Sequence, residues 1–267
     1  MTDERPGASP IELAWNDAAR GYDAYFSPRF APYLATALGT LIGRAPELPN
    51  PGCILVPCTG PGRELGALAR AFPTRRIVGS DLSGEMVKLA RERNAGVRNV
   101  SVERDDATQL RPQAEPVAAL YSVFGLQLLP NPEITLTSWL ERLQPKGLAA
   151  IVYWPEHTDD GGPMDTLHRL IAESIAVDRS WEGKLEASAR AASSHVSTDV
   201  RIAFEMQHDD ARSFWHALTR LGPLRALANA RGEAFVAELG TRFEATLPQG
   251  PLVHTPEARL LLIERDG

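Results

Sequence analysis

Ile54-Leu55-Val56-Pro57-Cys58-Thr59-Gly60-Pro61-Gly62-Arg63-Glu64 runs from an apolar stretch straight into a turn rich in glycine and proline. Leu65-Gly66-Ala67-Leu68-Ala69-Arg70-Ala71-Phe72 then resumes with helical spacing. The order is strand, tight turn, helix. Nineteen residues after Gly62, Asp81 closes a second apolar run, Arg76-Ile77-Val78-Gly79-Ser80. In an open α/β sheet such a unit holds a nucleotide. The glycine turn lets the ligand approach the backbone, and a carboxylate on the next strand accepts the ribose hydroxyls.

Working outward, apolar runs at 97–102, 117–124 and 148–154 alternate with helical segments near 84–95 and 133–143. Strands this continuously apolar, alternating with helices, predict a parallel sheet covered on both faces. Upstream, residues 1–10 read as a loose tail. Two helices follow around 11–24 and 30–45, with Gly43 as a stop, and Glu47-Leu48-Pro49-Asn50-Pro51-Gly52 links them to the first strand. Downstream the alternation changes. A loop covers 155–163, and 164–193 reads as helix, loop and a short Ala-rich helix. A period-two strand runs over Val200–Met206, two helices lie near 210–221 and 231–246, and Ala258–Glu264 forms a final strand. The expected division is an N-terminal helical cap (1–50), a nucleotide-binding core (51–155), a helical lid with one strand (156–250) and a strand returning to the core sheet (251–267).

Among 267 residues, 43% are hydrophobic and 23% charged, enough for one large core with a lid. A formal charge of −6 argues against a general nucleic-acid or anionic-membrane surface. Cys53 and Cys58 make neither a metal set nor a disulfide framework, which fits a reducing, cytoplasmic setting. No apolar run approaches the roughly 20 residues that span a bilayer, and the polar start Met1-Thr2-Asp3-Glu4-Arg5-Pro6 lacks a signal-peptide core.

Taken together, these elements resemble a class I S-adenosylmethionine (SAM)-dependent methyltransferase of the small-molecule type. The likeness is nearest to the ubiquinone/menaquinone-type C-methyltransferases of the type 11 group. It covers residues 11–155 and the last strand, and loosens over 156–250. In that family the first loop reads acid-x-Gly-x-Gly-x-Gly. Gly60 and Gly62 match, Cys58 stands for the first glycine, and Val56 stands for the acid that usually helps fix the ligand's amino group. Asp81-Leu82-Ser83-Gly84-Glu85-Met86 resembles the Asp-x-Ser-x-x-Met opening of the next helix. Arg104-Asp105-Asp106-Ala107 resembles a Gly-Asp-Ala turn, where Asp106 accepts from the adenine amino group. Tyr121–Leu129 resembles the fourth strand and its loop, and Lys146-Gly147 stands where the family has Pro-Gly-Gly.

The resemblance implies an α/β fold: a Rossmann-like, seven-stranded, mostly parallel sheet with helices on both faces, plus N-terminal helices and a helical lid. It implies SAM as cofactor, with contacts from Gly60, Gly62, Asp81, Leu82, Asp106, Ala107, Ser122 and Tyr22, and no metal. Trp15 and Tyr22 share a helical face, and Trp15…Tyr22-Asp23 resembles the stretch that folds over the cofactor. The implied reaction is methyl transfer to the oxygen, carbon or sulfur of a small, partly apolar metabolite, with no nucleic-acid or membrane partner; a homodimer is admitted.

SAM carries the activated methyl, so alignment and water exclusion matter more than a fixed catalytic set. Should a base be needed, the candidates are His157, which follows the strand ending at Trp154, then His195 and His254. Cys58 reads as a packing thiol, Asp159-Asp160 as a solvated loop, and Asp209-Asp210 as a cap for the helix opening at Ala211. Trp181, Phe204, Phe214, Trp215 and Phe243 suggest an apolar acceptor pocket within the lid. Val56 and Cys58 motivate a second reading, a SAM-binding protein without transferase activity. An NAD-dependent oxidoreductase is opposed by the Asp105-Asp106 pair and by an antiparallel final strand. A nucleic-acid methyltransferase is opposed by the charge and by Ser122-Val123-Phe124-Gly125 in place of an Asn-Pro-Pro-Tyr-like loop.

Overall fold

The structure, a computed structural model, describes residues 8–173 and 178–267. The expected loose tail lies largely outside the described residues. In chain order the elements are α1 (Pro10–Gly43), β1 (Cys53–Pro57), α2 (Leu65–Ala71), β2 (Ile77–Asp81), α3 (Gly84–Arg93), β3 (Val100–Arg104), β4 (Val117–Val123), α4 (Pro132–Arg142) and β5 (Leu143–Tyr153). There follow α5 (Pro163–Ala172), α6 (Leu185–Ala191), β6 (Ser194–Ala203), β7 (Met206–His208), α7 (Ala211–Leu218), α8 (Gly222–Arg231), α9 (Glu233–Thr246), β8 (Leu252–His254) and β9 (Glu257–Arg265). Seven strands form one sheet in the order β3-β2-β1-β4-β5-β9-β6. The first five are parallel, and β9 and β6 are antiparallel additions. The fold is the Rossmann-like, seven-stranded, mostly parallel α/β sheet that the resemblance implies.

Side chains alternate between the faces because the strand period is two. Ile54 and Val56 of β1, Leu148, Ala150 and Val152 of β5, and Leu260 and Leu262 of β9 enter one core with α1 and α7–α9. Cys53 and Leu55, Ala149, Ile151 and Tyr153, and Leu261 and Ile263 enter the other with α4 and α6.

The N-terminal region differs from expectation. One helix, not two, runs from Pro10 to Gly43, through Pro28 and Pro32. Each proline removes a helical donor and crowds the preceding turn. The stripe Phe26, Phe30, Tyr33, Ala37 and Leu41, all buried at spacings of three and four, packs the helix on the sheet and outweighs that loss. Ser9 caps the start, its hydroxyl accepting from Glu12 N–H at 3.3 Å, and Gly43 ends the helix as expected.

The second half also departs. The strand expected at Val200–Met206 is two strands: β6 begins at Ser194, and Met206 already belongs to β7, which pairs with β8. A third helix, α8, opens on Gly222-Pro223. Asp210 caps α7 by accepting from Ser213 N–H at 2.6 Å, as the sequence suggests. β6 lies at the sheet edge with a register shift between Val196 and Thr198. Ion pairs Arg259–Asp199 and Arg201–Glu257, each with a 2.7 Å contact, cross from β9 to β6. No helix among the described residues is long and apolar enough to cross a membrane, and no described group of three or more His, Cys, Asp or Glu could hold a metal.

Candidate functional site

Strands β1, β2 and β4 end together, and α1 lies across that carboxyl edge. Between them is a cavity of about 460 Å³ lined by Ile11, Glu12, Trp15 and Tyr22 of α1, by Cys58 and Gly60, by Asp81, Leu82 and Met86, by Arg104, Asp106, Ala107 and Thr108, and by Val123–Gly125 and Leu128–Pro130. This is where open α/β sheets bind ligands.

The glycine loop forms the floor. Gly60 and Gly62 take φ of +54° and +65°, a region that side chains disfavour. Gly62 meets the protein rather than the cavity, since a Cβ there would lie 2.7 Å from that of Ala90. Cys58 adopts φ of 56° and Lys146 φ of 67°. The two positions that depart from the family's glycines therefore keep a glycine-like backbone. The Cys58 thiol is pushed well up by burial and by the nearby Asp81 and Asp106 carboxylates, so it is a poor nucleophile.

Asp81, the last residue of β2, accepts from Gly60 N–H at 2.9 Å and from Ser83 N–H at 3.0 Å. Burial outweighs these amide contacts and pushes its carboxyl up to about 6. Asp106 accepts from the Thr108 amide and hydroxyl at 2.9 and 2.7 Å and borders the cavity. Asp105 turns inward, accepts from Arg111 N–H at 3.0 Å and pairs with the Arg111 guanidinium at 3.1 Å. Of the two, Asp106 faces the ligand space.

Polar ties fix α1 over this floor. Asp23 pairs with Arg63 at 2.8 Å and Arg93 at 2.6 Å. Asn16 Oδ1 accepts from the Ser83 hydroxyl at 2.7 Å, and Glu12 pairs with Arg104. Tyr22 reaches within 4.0 Å of where a Gly60 side chain would begin and sits edge-on to Trp15 at 5.7 Å.

A second, smaller cavity of about 40 Å³ lies under the glycine loop and shares Tyr22, Cys58, Gly60, Val123 and Phe124 with the first. Val56 and Glu64 both line it. Glu64 is 7% exposed, and the Thr59 hydroxyl donates to its Oε1. Burial pushes the Glu64 carboxyl up to about 7. Sequence reasoning passed over Glu64 and Asn16, because each reads as an ordinary helical polar residue, and marked Asp23 only as part of the stretch beside Tyr22. An acid two residues past the last loop glycine was the only available signal.

Of the residues singled out in the sequence, Gly60, Asp81, Leu82, Asp106, Ala107 and Tyr22 border the main cavity. Ser122 is buried behind it, its hydroxyl 3.3 Å from the Pro57 carbonyl. The histidines lie elsewhere. His157 is exposed in the loop after β5. His195 pairs with Asp266 at 2.9 Å, beside Glu264 at the opposite, amino edge of the sheet. His254 is buried in a chain of hydrogen bonds: Tyr25 Oη to His208 Nδ1 at 2.6 Å, His208 Nε2 to His254 Nε2 at 3.0 Å, and His254 Nδ1 to Asp159 Oδ2 at 2.7 Å. Asp159, read from sequence as solvated, has a side chain only 6% exposed. It also accepts from the Met164 and Asp165 amides.

No described residue of 156–250 lines either cavity. Trp181, Phe204, Phe214, Trp215 and Phe243 pack into the two cores instead, Phe214 against Phe26 and Trp181 against Tyr153. Helices α8 and α9 are seated by close contact. A Cβ at Gly222 would lie 2.3 Å from the Trp15 ring, and one at Gly240 2.3 Å from that of Trp215.

Residues 54–147 match the family model described as a methyltransferase domain. Among curated proteins, the chain is 31% identical over 202 residues to a trans-aconitate 2-methyltransferase of Streptomyces avermitilis, covering 73% of this chain and 66% of that one. It is 30% identical over 169 residues to the protein of that name from Variovorax paradoxus, covering 63% and 58%, and 28% identical over 238 residues to that from Azoarcus sp., covering 82% and 88%. The chain thus spans less than two thirds of the length of the Variovorax and Streptomyces relatives. Among solved structures, it aligns with the YcgJ protein of a Bacillus at a TM-score of 0.56 and 18% identity, covering 87% and 99%. With the geranyl diphosphate C-methyltransferase of Streptomyces coelicolor A3(2), the TM-score is 0.51 at 12% identity, covering 86% and 78%.

Proposed function

We propose that this chain, which carries a class I SAM-dependent methyltransferase domain, moves a methyl group to a small, partly apolar metabolite. The observation that carries the reading is the carboxylate pair on the cavity wall. Asp81 ends β2, Asp106 follows the adjacent β3, and both border the cavity. A ribose diol donates to Asp81. The adenine amino group donates to Asp106, and Leu82 and Ala107 border the ring. Gly60 lets the ligand close on the backbone.

SAM supplies an activated methyl on sulfur. The chain's part is to bind, orient and keep out water, and α1 does this with Tyr22 and Trp15 held over the loop. No histidine borders the cavity among the described residues. The geometry therefore favours an acceptor that is nucleophilic without a histidine base, such as a carboxylate, a thiolate or an acidic carbon.

Trans-aconitate, named in the relatives, is a tricarboxylate. Among its described residues the main cavity presents one cation, Arg104, already paired with Glu12, against the carboxylates Glu12, Asp81 and Asp106. That balance disfavours a trianion. The apolar rim of Ile11, Trp15, Leu128, Leu129 and Pro130 suits a substrate with one charge or none. The test is turnover of methyl-labelled SAM against trans-aconitate, monocarboxylates, thiols and phenols. Preference for a monocharged or neutral acceptor supports the reading. Preference for trans-aconitate overturns the acceptor assignment, and tight SAM binding with no acceptor methylated overturns the transferase activity.

A further inference from the structure

The cavity under the glycine loop contains one carboxylate among its described residues, Glu64. The neighbouring cations are engaged elsewhere: Arg63 and Arg93 both bind Asp23, and Arg93 also donates to the Pro61 carbonyl. Val56 supplies only hydrocarbon on the same wall. A buried carboxylate that accepts from a hydroxyl is costly in its charged form, and a cation entering the cavity removes that cost.

SAM ends in an amino acid, and its ammonium is a cation of the right size for so small a space. Because Gly60, Cys58 and Tyr22 border both cavities, a nucleoside seated on Asp81 directs its other end toward Glu64. We propose that Glu64 binds the α-ammonium of the cofactor, replacing from the start of α2 the acid that is absent at Val56. The inference rests on the SAM reading above. The raised carboxyl of Glu64 agrees with it: near neutral pH the group is part-protonated until a cation arrives, and then ionises.

The experiment compares S-adenosylhomocysteine with 5′-methylthioadenosine, which keeps the adenosine and the thioether but lacks the amino-acid end. Calorimetry at pH 7, in two buffers of different ionisation enthalpy, reads affinity and proton exchange together. Binding of S-adenosylhomocysteine is expected to release roughly half a proton more than binding of 5′-methylthioadenosine. Glu64→Gln is expected to erase that difference and to weaken S-adenosylhomocysteine about tenfold or more, leaving 5′-methylthioadenosine unchanged. Equal proton release by the two ligands on the unsubstituted protein overturns the proposal without any variant. So does unchanged S-adenosylhomocysteine affinity in a folded Glu64→Gln protein. If the unsubstituted protein binds neither nucleoside, the SAM reading itself falls, a result distinct from the other two.

Discussion

Two polar clusters lie against α1, and they are built on opposite terms. Around the glycine loop, Asp81 on the main cavity and Glu64 on the smaller one are carboxylates raised to about 6 and about 7 by burial. In the second half of the chain, Tyr25, His208, His254 and Asp159 form a closed series. One choice of tautomers satisfies every ring nitrogen: the Tyr25 hydroxyl donates to His208, His208 to His254, and His254 to Asp159. The first cluster borders the two cavities, whereas the second ties the β7–β8 pair and the loop before α5 to α1.

Their pH dependences therefore run in opposite directions. Between the unfolded value of 4.5 and about 7, native Glu64 keeps a proton that the unfolded chain has lost, so its contribution to stability falls as pH rises. Burial, then the adjacent His254, lowers His208 from 6.5 to about 3. Below pH 6.5 the unfolded chain takes a proton that native His208 refuses, so this cluster loses stability as pH falls.

The contrast breaks most visibly at Asp159. Asp159→Ala removes the acceptor for His254 and for two amides. It is expected to lower unfolding stability by about 2–4 kcal/mol in urea titration while leaving S-adenosylhomocysteine affinity within about threefold. Loss of binding in step with stability would make the two clusters one unit. At the other cluster, Asp81→Ala should weaken nucleoside binding by about 1.5–3 kcal/mol with little loss of fold. Unchanged affinity removes the ribose assignment.

Smaller effects sharpen the picture. Glu64→Gln is expected to stabilise the ligand-free protein at pH 8 by about 1–2 kcal/mol, a gain that disappears below about pH 5. Thermal melts at the two pH values check this, and a destabilised variant at pH 8 would mean that Glu64 is already satisfied in the fold. Tyr25→Phe removes one hydrogen bond from the closed series and should cost about 1 kcal/mol. A cost above about 3 kcal/mol would show the series to be strongly cooperative.

The same contrast explains what could be read from the chain alone. The sheet was legible because Ile54–Val56, Ile77–Val78 and Leu148–Val152 are apolar at strand length and punctuated by glycine. Asp81 was legible because it ends such a run. Glu64 was not, because an acid at a helix start is commonplace, and only the closing of α1 over the loop buries it. Asp159 and His254 lie 95 residues apart, and nothing local in either marks the other. The prolines in α1 misled for a related reason: local propensity favours a break, and the buried stripe that overrules it depends on a sheet formed later in the chain.

Strand β6 has a consequence for life at high concentration. Its outer edge pairs with no other strand among the described residues, and an unpaired edge is a template for sheet growth from molecule to molecule. The offset between Val196 and Thr198 spoils the flat register that such growth needs, and Asp199 and Arg201 carry charge along the same strand. The chain thus completes its sheet with an antiparallel edge strand that carries two features, an irregular register and charge, that oppose edge-to-edge pairing.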